Sequence, residues 1–161
     1  MRKIQPNTYS SNKQLAQCIQ SFSVLELLQN SDTIYLHVPC LSDSRVVHNQ
    51  AGEFSLVLPD TDIQQLSLTS LLGLLAERGT SIYICCRDDI SNLMAESLKH
   101  PAITISQRAS IYPPGWITER YALSGVIYFR PDRIDFYENE IEVLSDPVQV
   151  EELFMKAKSV W

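Results

Sequence analysis

The chain has 161 residues, 45% of them hydrophobic and 20% charged, enough apolar material for one packed domain and too much for a disordered tail. Nineteen acidic against thirteen basic residues leave a formal charge of −6, which argues against broad binding to a phosphate backbone, because that needs clustered Lys and Arg. No apolar run approaches the roughly 18 residues of a membrane-spanning helix, and Met1 to Pro6 lead into polar sequence, so a cytoplasmic location without a membrane partner is expected.

Ser11 and Asn12 offer a cap to a helix in which Leu15, Cys18, Ile19, Phe22, Leu25 and Leu28 recur every three or four residues, ending near Asn30. Residues 1–32 therefore read as a leader and first helix of a single domain spanning 1–161. Thr33 to Val38 is rich in β-formers and stops at Pro39, as a strand feeding a loop does. From Leu41 to about Thr61 no period holds, and Asp43, Asn49, Gly52, Pro59 and Asp60 punctuate what reads as a long loop. Leu66, Leu68, Leu71, Leu72 and Leu75 predict a second helix closed by Gly79. Ser81 to Cys86 reads as a strand buried on both faces, Asp89 as the cap of a helix through Lys99, and Ile103 to Ile105 as a short strand. This alternation predicts an α/β fold with a mainly parallel sheet. Residues 121–129, 134–137 and 141–144 read as strands joined by turns at Arg130-Pro131-Asp132 and Glu138-Asn139, pairing antiparallel. Asp146-Pro147 opens a last helix with Val150, Leu153, Phe154, Ala157 and Val160 on one side.

Few residues suggest chemistry. Cys18, Cys40, Cys85 and Cys86 lack the spacing of a zinc site or a secreted disulfide framework and are expected reduced and mostly buried. His37, Cys40 and His48 are the residues to weigh for a metal. An odd separation on an extended segment points His37 and Cys40 to opposite faces, so incidental roles are expected and no metal is assigned. Cys85 and Cys86, in a buried strand, read as core rather than nucleophiles. Asp60 with Asp62 and Asp88 with Asp89 are possible carboxylate pairs that suit turns and caps equally well. No GxGxxG, GxxxxGK[ST], GxSxG or HExxH pattern occurs, and no cofactor is expected.

The succession Ile34 to Pro39, His48 to Phe54 with Asn49 and Gly52, Leu71 to Thr80 and Ile82 to Arg87 resembles the first half of a phospholipase-D-like domain. It is closest to single-unit members associated with bacterial DNA-modification and phage-defence operons. Tyr121 to Gly125, followed by Glu138-Asn139-Glu140 and the last helix, resembles the second half, where the family carries a GSxN-like turn and an Asn/Glu pair. The resemblance implies a mixed sheet flanked by helices, and a His-x-Lys motif about a dozen residues before the turn. Counting back from Gly125 places Tyr112 at the histidine and Pro114 at the lysine, while Val126 and Tyr128 occupy the serine and asparagine of the turn.

Phosphodiester attack needs an imidazole and a cation beside the phosphoryl oxygens, and a phenol with a proline supplies neither. The reading adopted is thus a catalytically degenerate member, a binding or scaffolding subunit of a defence or nucleic-acid-processing assembly. Its partner would be another protein or a second copy, since active single-unit relatives join their motifs across a twofold interface. His48, Asn49, Trp116, Arg120, Ser124, Gly125, Arg133 and Glu140 are the candidate binding residues, with the region of Tyr112, Trp116, Ser124, Gly125 and Tyr128 near the former cleft. Two alternatives stand beside it: a metal-independent phosphodiesterase or nuclease using Tyr112 or His48 with Glu140, or a small α/β regulatory module unrelated to the family. Arg108, Arg120, Arg130 and Arg133 raise a local basic face and with it nucleic-acid contact.

Overall fold

A computed structural model describes residues 2–6, 9–48, 65–137 and 139–161, with only the backbone of Tyr9, Ser10 and Gln65. Seven strands form one sheet in the order β1 (Arg2–Ile4), β11 (Ile141–Leu144), β8 (Ala122–Ser124), β7 (Gly115–Thr118), β2 (Thr33–Val38), β5 (Ser81–Cys86) and β6 (Ile103–Gln107). β2, β5 and β6 run parallel, and every other neighbouring pair is antiparallel. The fold is α/β with a mixed sheet. Its parallel half follows from the helices that return the chain between β2, β5 and β6, namely α2 (Leu68–Glu77) and α3 (Asn92–Ser97). Two small antiparallel ladders lie outside the main sheet: β3 (Arg45–His48) with β4 (Gln65–Ser67), and β9 (Tyr128–Phe129) with β10 (Ile134–Asp135).

Strand alternation builds two cores. Ile34, Leu36 and Val38 of β2, with Ile82, Ile84 and Cys86 of β5, join Leu15 and Ile19 of α1 (Tyr9–Leu28) and Leu68, Leu71, Leu72 and Leu75 of α2. Tyr35 points the other way and packs with Ile117, Ala122 and Leu144 against Val150 and Ala157 of α4 (Pro147–Ser159). The four α2 leucines are fully buried, so truncating any one to Ala costs about 2–5 kcal/mol.

Several boundaries differ from the sequence expectation. α1 starts at Tyr9, so Ser11 and Asn12 lie in its first turn instead of capping it, and it ends at Leu28. α3 is capped by Ser91, whose Oγ accepts from Met94 N at 3.2 Å, while Asp89 accepts from Gln107 Nε2 at 2.6 Å. The segment expected to be a structureless loop holds β3, and its partner β4 follows after residue 64. Residues 121–129 are not one strand: Gly125, at φ 145°, ends β8, and a Cβ there would stand 2.5 Å from Ile141 Cδ1. β7 has no counterpart in the expectation. It enters through Gly115, at φ 137°, where a Cβ would sit 2.0 Å from the Leu123 carbonyl oxygen. β1 pairs with β11 at the sheet edge, giving the expected leader a strand of its own. The turn at Arg130-Pro131-Asp132 does form, closed by Arg130 N donating to Arg133 O at 2.9 Å, but β10 pairs only with β9 and not with β11. Asp146 caps α4 as expected, accepting from Gln149 N at 3.2 Å.

Candidate functional site

Three constellations of polar residues lie around the central strands and α1 among the described residues, and the first two are structural. Glu26, fully buried near the end of α1, accepts from Tyr121 Oη at 2.5 Å, Ser31 N at 2.7 Å, Ser31 Oγ at 2.5 Å and Arg120 Nη2 at 3.1 Å. Arg120 also reaches the Gln29 carbonyl. The carboxylate pushes the Tyr121 hydroxyl far above its usual range, after burial as the larger cause, so this phenol stays a donor. Arg120, itself half-buried, is thereby committed to an ion pair with a fully buried carboxylate that joins the β7–β8 turn to α1.

His37 is the second. Its register partner on β5 is Cys85, and strand alternation turns both towards the α4 side. Nδ1 lies 3.0 Å from the Pro113 carbonyl and Nε2 accepts from Trp161 Nε1 at 3.0 Å, an arrangement that fixes the Nδ1-protonated tautomer. Burial lowers its pKa to about 4, so the ring is neutral at pH 7. Arg108 closes this cluster from above, its guanidinium 4.6 Å from the centre of the Trp161 ring and bonded to the Val160 carbonyl. Burial raises the Cys85 thiol and pushes Cys86 up to about 12, which leaves neither as a thiolate at neutral pH.

The third is open to solvent. Pro114 O accepts from Gly125 N at 3.1 Å, which sets the Tyr112-Pro113-Pro114 segment beside the end of β8. Tyr112, Pro114 and Ser124 line a cleft of about 310 Å³ together with Glu142, Leu144, Gln149, Glu152, Leu153 and Lys156. Tyr112 is 62% exposed, follows no strand geometry, and its hydroxyl has no hydrogen-bond partner among the described residues. The cation of the cleft, Lys156, is paired with Glu152 at 3.3 Å, and Glu142 lies 3.8 Å from Lys3. No imidazole lines it. His37 stands behind Pro113 with both nitrogens spent.

The sequence had grouped more residues here than the fold does. Trp116 is a correction: it is fully buried on the α1 side, packed in the core with Leu36 and Leu123, and makes no surface. Tyr128 is another, because the break at Gly125 carries it into the β9–β10 ladder, where it stacks on Tyr137 at 4.7 Å under the Arg130 guanidinium. Val126 is half-buried in the connection between those two places. Glu140 is held by Lys3 Nζ at 2.9 Å and Gln5 Nε2 at 2.5 Å and lines neither the Tyr112 cleft nor the one beside α1 and β3. The two hydrogen bonds hold its carboxyl below the usual range. Conversely, Glu142, Gln149, Glu152 and Lys156 escaped the sequence reading, although the amphipathic pattern of α4 already placed the last three on its polar side.

His48 and Arg133 fall in a separate, larger cleft of about 810 Å³ between α1, β3 and the β9–β10 turn. Asn49 lies outside the described residues, as do Asp60 and Asp62. The metal reading of His37, Cys40 and His48 is not met: His37 is sealed on the α4 side, Cys40 Sγ donates to Phe129 O at 3.8 Å, and His48 is exposed at the end of β3. Among the described residues no group of three or more His, Cys, Asp or Glu is placed to hold a metal ion. The basic face does not form either, since Arg120 meets Glu26, Arg130 and Arg133 meet Asp135 at 3.3 and 2.8 Å, and Arg108 covers Trp161. Among the described residues no helix is long and apolar enough to cross a membrane. No family model matches this chain, and no curated protein or solved structure matches it.

Proposed function

We propose that this chain is a non-hydrolytic binding subunit, a degenerate phospholipase-D-like domain that meets a protein partner through the Tyr112 cleft. The observation that carries the reading is an exposed phenol and two prolines at the end of the central strands, in a cleft that offers no imidazole and no unpaired cation. A phosphodiester would find neither a nucleophile activated by a base nor a charge to stabilise its oxygens. A protein surface would find an exposed aromatic side chain with an apolar floor from Leu144 and Leu153 and a charged rim. The partner we favour is a second copy. Lys156 shares the cleft with Glu142 and Glu152, so a twofold can exchange the Lys156–Glu152 pair within one copy for the same pair formed between copies, leaving no charge unpaired. The phospholipase-D-like origin and a role within a bacterial defence or nucleic-acid-processing assembly are both part of the proposal and rest on the sequence resemblance alone.

Light scattering over a concentration series tests this. The wild-type mass is expected to rise towards twice 18.3 kDa, and Tyr112→Asp to stay at one chain while melting at the wild-type temperature. Assembly unchanged in Tyr112→Asp, or a wild-type chain that remains monomeric at about 1 mM, would reject the second copy as partner. Hydrolysis of bis-p-nitrophenyl phosphate that vanishes in Tyr112→Phe would reject the non-hydrolytic reading itself.

A further inference from the structure

The geometry points to a second binding site, independent of the Tyr112 cleft: we propose that the cleft between α1, β3 and the β9–β10 turn binds a small phosphorylated molecule, with Lys13 and Arg45 on its phosphate. Three cations converge there from three elements, Lys13 from α1, Arg45 from β3 and Arg133 from the hairpin. Of the described carboxylates around them, Asp132 and Asp135 are paired with Arg133, at 3.4 Å to Nη1 and 2.8 Å to Nε, and Asp43 is held by a backbone amide, its Oδ1 accepting from Thr69 N at 3.0 Å. Lys13 and Arg45 have no hydrogen-bond or ion-pair partner among the described residues.

Lys13 and Arg45 line one concavity with no ion-pair partner among the described residues, so an anion held between them gains attraction from both. Partial desolvation of this exposed ring and the nearby Arg45 both lower the His48 pKa, so at neutral pH the imidazole is an uncharged donor or acceptor on the same wall. Asn12 adds a carboxamide, while Ala16, Pro131 and Ile134 supply an apolar surface for the organic part of the ligand. The volume, about 810 Å³, lies within the range of small-molecule sites. A nucleic-acid strand is the poorer occupant, because a chain of formal charge −6 repels a polyanion, whereas a single phosphate ester responds to the local field.

Calorimetric titration with inorganic pyrophosphate and with 5′-AMP at low salt tests the assignment. Saturable binding of both is expected, tighter for the nucleotide if the apolar surface contributes. Lys13→Ala and Arg45→Ala should each weaken it about tenfold, as expected for one charge-assisted hydrogen bond, and Arg87→Ala should leave it unchanged. Lys13 and Arg45 are exposed, and the melting temperature of each variant checks that the fold is kept. No saturation with either probe up to about 10 mM, an affinity indifferent to both variants, or an oligonucleotide bound far more tightly than 5′-AMP would each overturn the proposal. None of these outcomes depends on the solution mass that decides the Tyr112 reading.

Discussion

Arg120 and Arg45 stand on the same side of the sheet and look alike in the sequence, yet the fold uses them in opposite ways. Arg120 meets a carboxylate that is fully withdrawn from water, and three further donors converge on that carboxylate. Arg45 leaves β3 into an open cleft whose acids are engaged elsewhere. A count of positive residues cannot separate the two; what separates them is which partner the backbone has already buried. An arginine whose carboxylate lies inside the protein is part of the scaffold, and one without such a partner is available to a ligand.

The largest effect that tests this contrast is expected for Arg120→Ala, which strands the Glu26 carboxylate in the interior and should cost about 3–5 kcal/mol in a urea titration. A loss below about 1 kcal/mol would mean that the pair is no more than a surface ion pair. The α4 side supplies the next effect. His37 takes up its proton near pH 6.5 when unfolded but only near pH 4 when folded, so the unfolded chain binds more protons between those values. Stability is full above pH 6.5 and should fall by about 3 kcal/mol on the way down to pH 4, with His37→Gln removing most of that slope. A pH profile identical in His37→Gln would assign the slope to other groups. The smallest effect is expected for Arg45→Ala, whose stability should stay within about 0.5 kcal/mol of wild type, because its side chain has no partner among the described residues to lose. A larger loss would show that Arg45 is structural after all and would erase the distinction from Arg120.

Local signals made the helices and the inner strands legible. The leucine spacing of α2, the Asp146-Pro147 start of α4 and the apolar runs of β2 and β5 are each decided by neighbours in the chain. β7 was not legible, because Gly115 to Thr118 is four residues hemmed in by prolines and a turn, and its place next to β8 depends on the close passage of Gly115 by Leu123. β3 was missed for the same reason: its partner lies across residues 49–64, and neither strand has a period of its own. Among the site residues, counting back from Gly125 brought Tyr112, Pro114 and Ser124 together, since the hairpin between them fixes their separation. Lys13 and Arg45 carried no such signal. Exposed cations follow no pattern that says which of them will face one another.

The hydrogen bond from Trp161 to His37 has an optical consequence. The chain carries two indoles, one sealed in the core and one that donates to a titrating ring. As acid converts His37 near pH 4, the lone pair that receives the indole proton is lost and a positive charge takes its place, so the emission of Trp161 should drop while that of Trp116 holds. Fluorescence from the wild-type chain thus reports one proton at one atom, with no dye attached.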